Sequence, residues 1–252
     1  MKSSSAKTDM EREIRRDIQL QDQNCDFSGY VSPCSILSKF LEVAGYAADQ
    51  VGFGVEDMAA TGRMWVVSRF SAEWLAPIHK AQPYTVETWI SRNERCMSVR
   101  HLEIMDRQGQ CVARCTTMWA ALDMHTHRPV DIAGEPLFKK AQSDRPVYLE
   151  AARVNAVDGE PVGTHKICYS DIDFNRHANS IRYIEWVLDT YSKEHHHDNV
   201  LKRIDINYLQ ESQWGDEVQI LGKHTDNGDC FDLQIDNKSV CKTRLQWTAR
   251  GK

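Results

Sequence analysis

The 252-residue sequence has no apolar run approaching the roughly 18 residues that a membrane-spanning helix needs, so no helical span is expected. It has no stripe of one charge sign either. Its 31 basic and 36 acidic residues are interspersed and leave a formal net charge of −5, which makes nucleic acid an unexpected partner. The N-terminal stretch MKSSSAKTDMEREIRRD lacks the apolar core of a secretory signal and reads, over residues 1–11, as a short solvated tail. Eight cysteines (25, 34, 96, 111, 115, 168, 230 and 241) form no CxxC and no zinc-ligand spacing. Several lie in apolar, strand-like segments, where a free thiol behaves as a small hydrophobe. A reducing cytoplasm without structural disulfides is the expectation. His195-His196-His197 is not a metal signature, because successive residues on a helix point about 100° apart; a solvated loop is expected there, and no metal or cofactor.

What the chain does have is a pattern that occurs twice. Ile18 and Leu20 suggest a short strand, followed by a polar turn at Asp26–Ser32. Pro33 then stands where a first helical position would be, and Ile36, Leu37, Phe40, Leu41 and Ala44 recur at helical spacing with Gly45 near the expected end. Strand-like runs follow at Met64–Trp74, Tyr84–Ser91, Ser98–Met105 and Cys111–Leu122, punctuated by prolines and the turn Asp106–Gly109. From about 124 to 162 no periodicity is sustained, and prolines 129, 136, 146 and 161 intervene; residues 131–162 read as an interdomain linker.

The pattern then restarts. Lys166–Tyr169 is strand-like, and a polar turn leads into a helix bearing Ile181, Ile184, Leu188 and Tyr191, with Asn179 as its candidate cap. Arg203–Glu211 alternates Ile204, Ile206 and Tyr208 against Asp205, Asn207 and Glu211. Glu217–Leu221, Phe231–Ile235 and Ser239–Thr248 complete the strands. Asp26-Phe27-Ser28-Gly29-Tyr30-Val31-Ser32 lies on Asp173-Phe174-Asn175-Arg176-His177-Ala178-Asn179 without a gap. Each half is therefore an α+β unit, a long helix wrapped by an antiparallel sheet, and the chain is a pseudo-dimer of a unit at 12–130 and a unit at 163–252. Ser28 and Tyr30 stand where the second copy has Asn175 and His177, so the chemistry is expected in the second half.

Three passages carry a family resemblance: Asp171-Ile-Asp173-Phe-Asn175-Arg-His177-Ala-Asn179 continued by Tyr183-Ile184-Glu185-Trp186; Trp65-Val-Val67-Ser-Arg69 with Val86–Ile90 downstream; and Ile206-Asn-Tyr-Leu-Gln-Glu211-Ser212. Over roughly residues 12 to 250 the chain resembles the acyl-acyl carrier protein thioesterases of plant plastids and their bacterial relatives, which are tandem hotdog folds. The resemblance implies a catalytic set of Asp173, Asn175, His177 and Glu211. Either Asp173 or Glu211 would activate water, with His177 sharing the proton, Asn175 orienting substrate, and N–H groups around Asn179 and Ser180 holding the oxyanion. It places the acyl pocket in the first hotdog, with Ile36, Phe40, Trp65 and Val67 as candidate lining, and Arg176 and Arg182 as candidate contacts to the phosphopantetheine-bearing carrier protein. Plant members commonly carry a cysteine after the glutamate. Ser212 stands there, which excludes a thiol mechanism at that position. Asp171 is read as a turn former. No plastid transit segment is seen, so a bacterial, cytoplasmic protein is expected. An acyl-CoA thioesterase and a non-catalytic acyl-thioester sensor are the rival readings, and further pairing into a homodimer is left open.

Overall fold

The computed structural model describes residues 12–155 and 158–251; the expected tail at 1–11 lies outside them. Helix α1 (Pro33–Val51) buries the stripe Ile36, Leu37, Phe40, Val43, Ala44 and Ala47. Its start is written locally: the Ser32 hydroxyl accepts from Ser35 N at 3.1 Å, and Pro33 occupies a position whose N–H would be unpaired anyway. Gly45, expected near its end, sits inside the helix. The stop is Gly52 at φ 81°, a left-handed cap suited to glycine. A short α2 (Val55–Ala60) follows.

Among the described residues, ten strands join one antiparallel sheet. The first half supplies β1 (Glu13–Ile18), β2 (Arg63–Trp74), β3 (Tyr84–Glu94), β4 (Met97–Met105) and β5 (Cys111–Asp123). The second supplies β6 (Glu160–Lys166), β7 (Asn199–Tyr208), β8 (Glu217–Thr225), β9 (Gly228–Ile235) and β10 (Lys238–Ala249). Their order, β1-β3-β4-β5-β2-β7-β10-β9-β8-β6, is the same five-strand sequence met from opposite ends, a tandem hotdog. The halves meet where β2 pairs β7 and Ser71 lies opposite Asp205. α1, β2 and β7 bury their apolar faces in one shared core that includes Phe40, Phe70, Ile204 and Ile206.

Three segments depart from the sequence expectation. The strand expected at Lys166–Tyr169 lies earlier, at Glu160–Lys166; its mostly exposed side chains leave no alternation to read. The long second helix is two short ones, α4 (Arg182–Leu188) and α5 (Lys193–Asp198), the latter started by Ser192, which accepts from His195 N. α5 carries the three histidines that were expected on a solvated loop. His195 and His196 are half-buried, because their rings pack on Tyr191 and Trp247; His195 lies 4.5 Å from Tyr191 and 4.7 Å from Trp247, centroid to centroid.

The segment read as a linker holds a further helix, α3 (Pro136–Lys140), whose Phe138 joins Phe53, Met58, Ile90, Ala121 and Ile132 in a second apolar cluster. Arg145 then bonds Glu87 at 2.7 Å and Glu103 at 2.6 Å, with its guanidinium 4.1 Å from the centre of the Trp89 ring. Farther on, Thr116 Oγ1 donates to Leu149 O (2.5 Å), Ala152 N to Ser71 Oγ (3.0 Å), and Asn207 bonds both Val154 N (2.8 Å) and Ala152 O (3.0 Å). The segment is thus a strap lying over the joint between the halves. It also buries the face of β7 that alternation assigned to polar residues, so Asp205 is fully covered. Asp205 receives Ser71 Oγ (2.7 Å), Arg203 and Arg244. Burial opposes its charge, but these donors outweigh burial and hold the carboxyl below the usual carboxylate range.

Candidate active site

The polar turn of the second half is built by its own side chains and backbone. Tyr169–Asp171 forms a short 3-10 turn, and an isolated bridge pairs Ile172 with Ala178. Between them, Asp173 N donates to His177 O (2.9 Å) and Arg176 N to Asp173 O (3.0 Å). Asp173 Oδ1 accepts from Asn175 N at 2.8 Å, an Asx-type closure. Arg176, at the tip, is left-handed with φ 67°.

Asp171, only 4% exposed, anchors the base of the turn. Its Oδ2 accepts from Cys168 N (2.8 Å) and meets His165 Nε2 (2.9 Å), while its carbonyl accepts from Asn179 N (2.8 Å). Burial works against its charge, but His165 and Cys168 prevail and depress its pKa. The His165 ring stacks on Trp186 of α4 at 4.5 Å and so ties the helix to the turn.

Glu211 arrives from the end of β7. Ala178 N donates to Ser212 O at 2.8 Å, and that bond sets the residue before Ser212 beside the turn. His177 Nε2 then lies 3.4 Å from Glu211 Oε2, with both side chains about a third exposed, at 29% and 37%. Tyr208 reinforces the placement by donating its hydroxyl to Ser180 O (2.9 Å); burial pushes that phenol's pKa well up.

The expected site residues therefore divide. His177 and Glu211 are together. Asp173 sits in the same turn with one oxygen committed to Asn175 N, and the Asn175 side chain is exposed at the tip. Asn179 N is taken by Asp171 O and cannot hold an oxyanion, whereas Ser180 N makes no backbone bond among the described residues. Ile36 and Phe40 are fully buried in the shared core. Trp65 donates Nε1 to Phe53 O (2.9 Å) and belongs to the second cluster, while Val67 is half-buried on β2. Arg176 is exposed, and Arg182 pairs with Glu185 on its own helix. Ser212 is fully buried, and among the described residues its hydroxyl has no hydrogen-bond partner that could activate it as a nucleophile. His165 was missed. The signal was present, since extending the repeat alignment back to Ile18 places His165 at its counterpart.

Two wrapped helical elements on one continuous sheet define a tandem hotdog protein, with His177 of the second turn meeting Glu211 from beyond β7. The chain belongs to the acyl-ACP thioesterase family: the N-terminal domain model of that family matches residues 11–138 and the C-terminal domain model matches residues 157–249. It is 26% identical over 207 residues to an oleoyl-acyl carrier protein thioesterase, chloroplastic, of Coriandrum sativum, covering 74% of this chain and 56% of that protein. The chain thus spans a little over half the length of the oleoyl-acyl carrier protein thioesterases of Coriandrum sativum and Arabidopsis thaliana that it matches, and less than half of the palmitoyl-acyl carrier protein thioesterases of Arabidopsis thaliana and Gossypium hirsutum. An acyl-ACP thioesterase from Bacteroides thetaiotaomicron has the same fold, with TM-score 0.87, 24% identity, and coverage of 94% of this chain and 98% of that one. The 12:0-ACP thioesterase from Umbellularia californica aligns with TM-score 0.83 at 19% identity, covering 95% and 98%.

Proposed function

We propose that the protein hydrolyses fatty acyl thioesters carried on acyl carrier protein, releasing a free fatty acid and the carrier thiol. The observation that carries this reading is the contact of His177 Nε2 with Glu211 Oε2 at 3.4 Å, in a family whose relatives are named for that reaction. Glu211 orients the imidazole and stabilises its protonated form. His177 takes a proton from water, and the resulting hydroxide attacks the thioester carbonyl carbon. When the tetrahedral intermediate collapses, the C–S bond breaks and the proton passes from His177 to the departing thiolate. Asn175, with its amide free at the tip, is suited to orient the water or the carbonyl. Asp173 shapes the turn, and Glu211 is the better candidate for the carboxylate partner of the base. Exposure of Arg176 at the tip supports its assignment as a contact to the phosphopantetheine or the acidic surface of the carrier. Eight free thiols suit a reducing compartment such as the cytoplasm.

The test is fatty-acid release from a ladder of carrier-bound acyl thioesters, C8 to C18, with matched acyl-CoAs alongside. Release from the carrier substrates is expected. Faster release from CoA would replace the proposed substrate with acyl-CoA, and tight binding without turnover would replace the enzyme with a sensor.

A further inference from the structure

The first half contains a cation in an unusual place. Arg100 on β4 is only 6% exposed. It alternates with Leu102 and Ile104, which pack in the core with α1, so its side chain leaves the sheet on the face that the helix covers. Among the described residues its side chain makes one hydrogen bond, from Nη1 to Thr88 Oγ1 at 3.2 Å, and no carboxylate lies within ion-pair distance. Burial alone lowers its pKa to about 10, so it remains a cation at neutral pH. Several half-buried arginines have acids: Arg145 has Glu87 and Glu103, Arg203 and Arg244 have Asp205, and Arg63 has Glu135; Arg69 and Arg114 have none, but they are less deeply buried than Arg100. A buried guanidinium with one neutral partner is costly, and such groups ordinarily meet an anion.

The strand register shows what lies between Arg100 and the turn. Arg100 is opposite Thr117 on β5, Thr117 opposite Phe70 on β2, and Phe70 opposite Ile206 on β7. Arg100 therefore stands three strand spacings, about 14 Å, from β7, the strand that leads to Glu211. In the adjacent row Val67 pairs with Trp119, and both apolar side chains are only half-buried although they share this inner face. That half-buried row lies on the side where β7 runs on toward Glu211, and it offers an apolar lane along which an acyl chain could run from the turn toward the guanidinium.

We propose that Arg100 is a specificity-determining residue at the far end of the acyl lane, and that the preferred acyl chain carries an oxygen acceptor, a carboxylate or a hydroxyl, where it meets this guanidinium. The proposal rests on the thioesterase reading above. A plain hydrocarbon end would leave the cation buried and unpaired in the complex. An oxygenated end supplies the acceptor that the protein omits.

The experiment compares carrier-bound C10 and C12 chains that are unsubstituted, ω-hydroxylated or ω-carboxylated, using the full chain and its R100M, R100K and T88V variants. Wild type is expected to favour an oxygenated chain at least tenfold in kcat/KM, and the better of the two arms identifies the acceptor. R100M is expected to invert the preference, R100K to keep part of it, and T88V to keep most of it. Preference for the plain chain at both lengths, or an R100M ratio within twofold of wild type, overturns the proposal. Should R100M fail to fold, the R100K ratio decides in its place. Should wild type turn over none of the thioesters, it is the thioesterase reading that fails. Equilibrium binding of the free ω-carboxy and plain acids to wild type and R100K then tests Arg100 on its own.

Discussion

The turn at residues 21–32 and the turn at residues 168–179 are the same piece of backbone put to two uses. Asp26 N donates to Tyr30 O (2.9 Å) as Asp173 N does to His177 O, and Asp26 Oδ1 accepts from Ser28 N (2.8 Å) as Asp173 Oδ1 accepts from Asn175 N. A Cys25–Val31 bridge answers the Ile172–Ala178 bridge, and Asn24 Oδ1 accepts from Gln21 N where Asp171 accepts from Cys168 N. Farther on, Leu75 N and Ala76 N share Val112 O as Leu209 N and Gln210 N share Val240 O, so Pro77 falls where the second half has Glu211. The first turn is used for packing. Arg250 lies 4.7 Å from the centre of the Tyr30 ring, and Phe27 packs edge-on to His196 at 6.4 Å. The difference teaches that the backbone turn carries no chemistry by itself. It is a presenting frame, and the two copies differ in what they present at the third and fifth positions: Ser28 and Tyr30 in the first, Asn175 and His177 in the second.

That comparison can be broken most directly at its fifth position. His177→Tyr gives the second turn the residue of the first; fatty-acid release is expected to fall by about 10²- to 10⁴-fold with the melting temperature nearly unchanged, as for loss of a general base. Turnover within a few-fold of wild type would remove His177 from the mechanism. The next largest effect is at the joint, where Ser71 and Asp205 face one another. Asp205→Ala leaves Arg203 and Arg244 without their acid and should destabilise the fold by about 3–5 kcal/mol in denaturant unfolding. The folded pKa of Asp205 lies below its unfolded value of about 3.9, so this stabilisation is complete above that pH and is lost as pH falls through the folded value. Acid titration of the variant should accordingly show a shallower loss of stability than wild type.

Arg176→Gly restores the residue type of Gly29, which has φ 81° where Arg176 has φ 67°. Relief of the left-handed strain, less the entropy cost of glycine, should stabilise by about 0.5–1 kcal/mol, or roughly 1–4 °C in calorimetry. A lower melting temperature would mean that the arginine side chain holds the turn. Smallest of all, Asp171→Asn copies Asn24 and keeps the acceptor for Cys168 N. Its stability is expected to stay within about 1 kcal/mol of wild type, because the first turn stands on the same amide.

Much of this was legible in the sequence, and the exceptions share a cause. β10 alternates cleanly, with Cys241, Thr243 and Leu245 buried between half-buried Lys242, Arg244 and Gln246. The gapless repeat located both turns, and Ser32-Pro33 marked the start of α1. The alternation of β7 separated its two faces but did not say that the polar one is covered: Asp205 and Asn207 are buried, and Asn207 is bonded to a segment itself free of periodicity. Polar burial of this kind writes the same letters as exposure. The contact of His177 with Glu211 was legible only through the family resemblance, since it depends on a bond from Ala178 to Ser212 across the fold.

The strap also bears on how the chain assembles. Joining the halves at Ser71 and Asp205 closes a loop of 134 residues. If Ala152 settles first on Ser71, 81 residues away, the remaining closure from Val154 to Asn207 spans 53. On the logarithmic scaling of loop entropy, shortening the final closure from 134 to 53 residues lowers its cost by about 0.8 kcal/mol, a several-fold gain in the rate of a late step. The connecting segment then acts as a folding template, laid down by the first unit as the seat for the second.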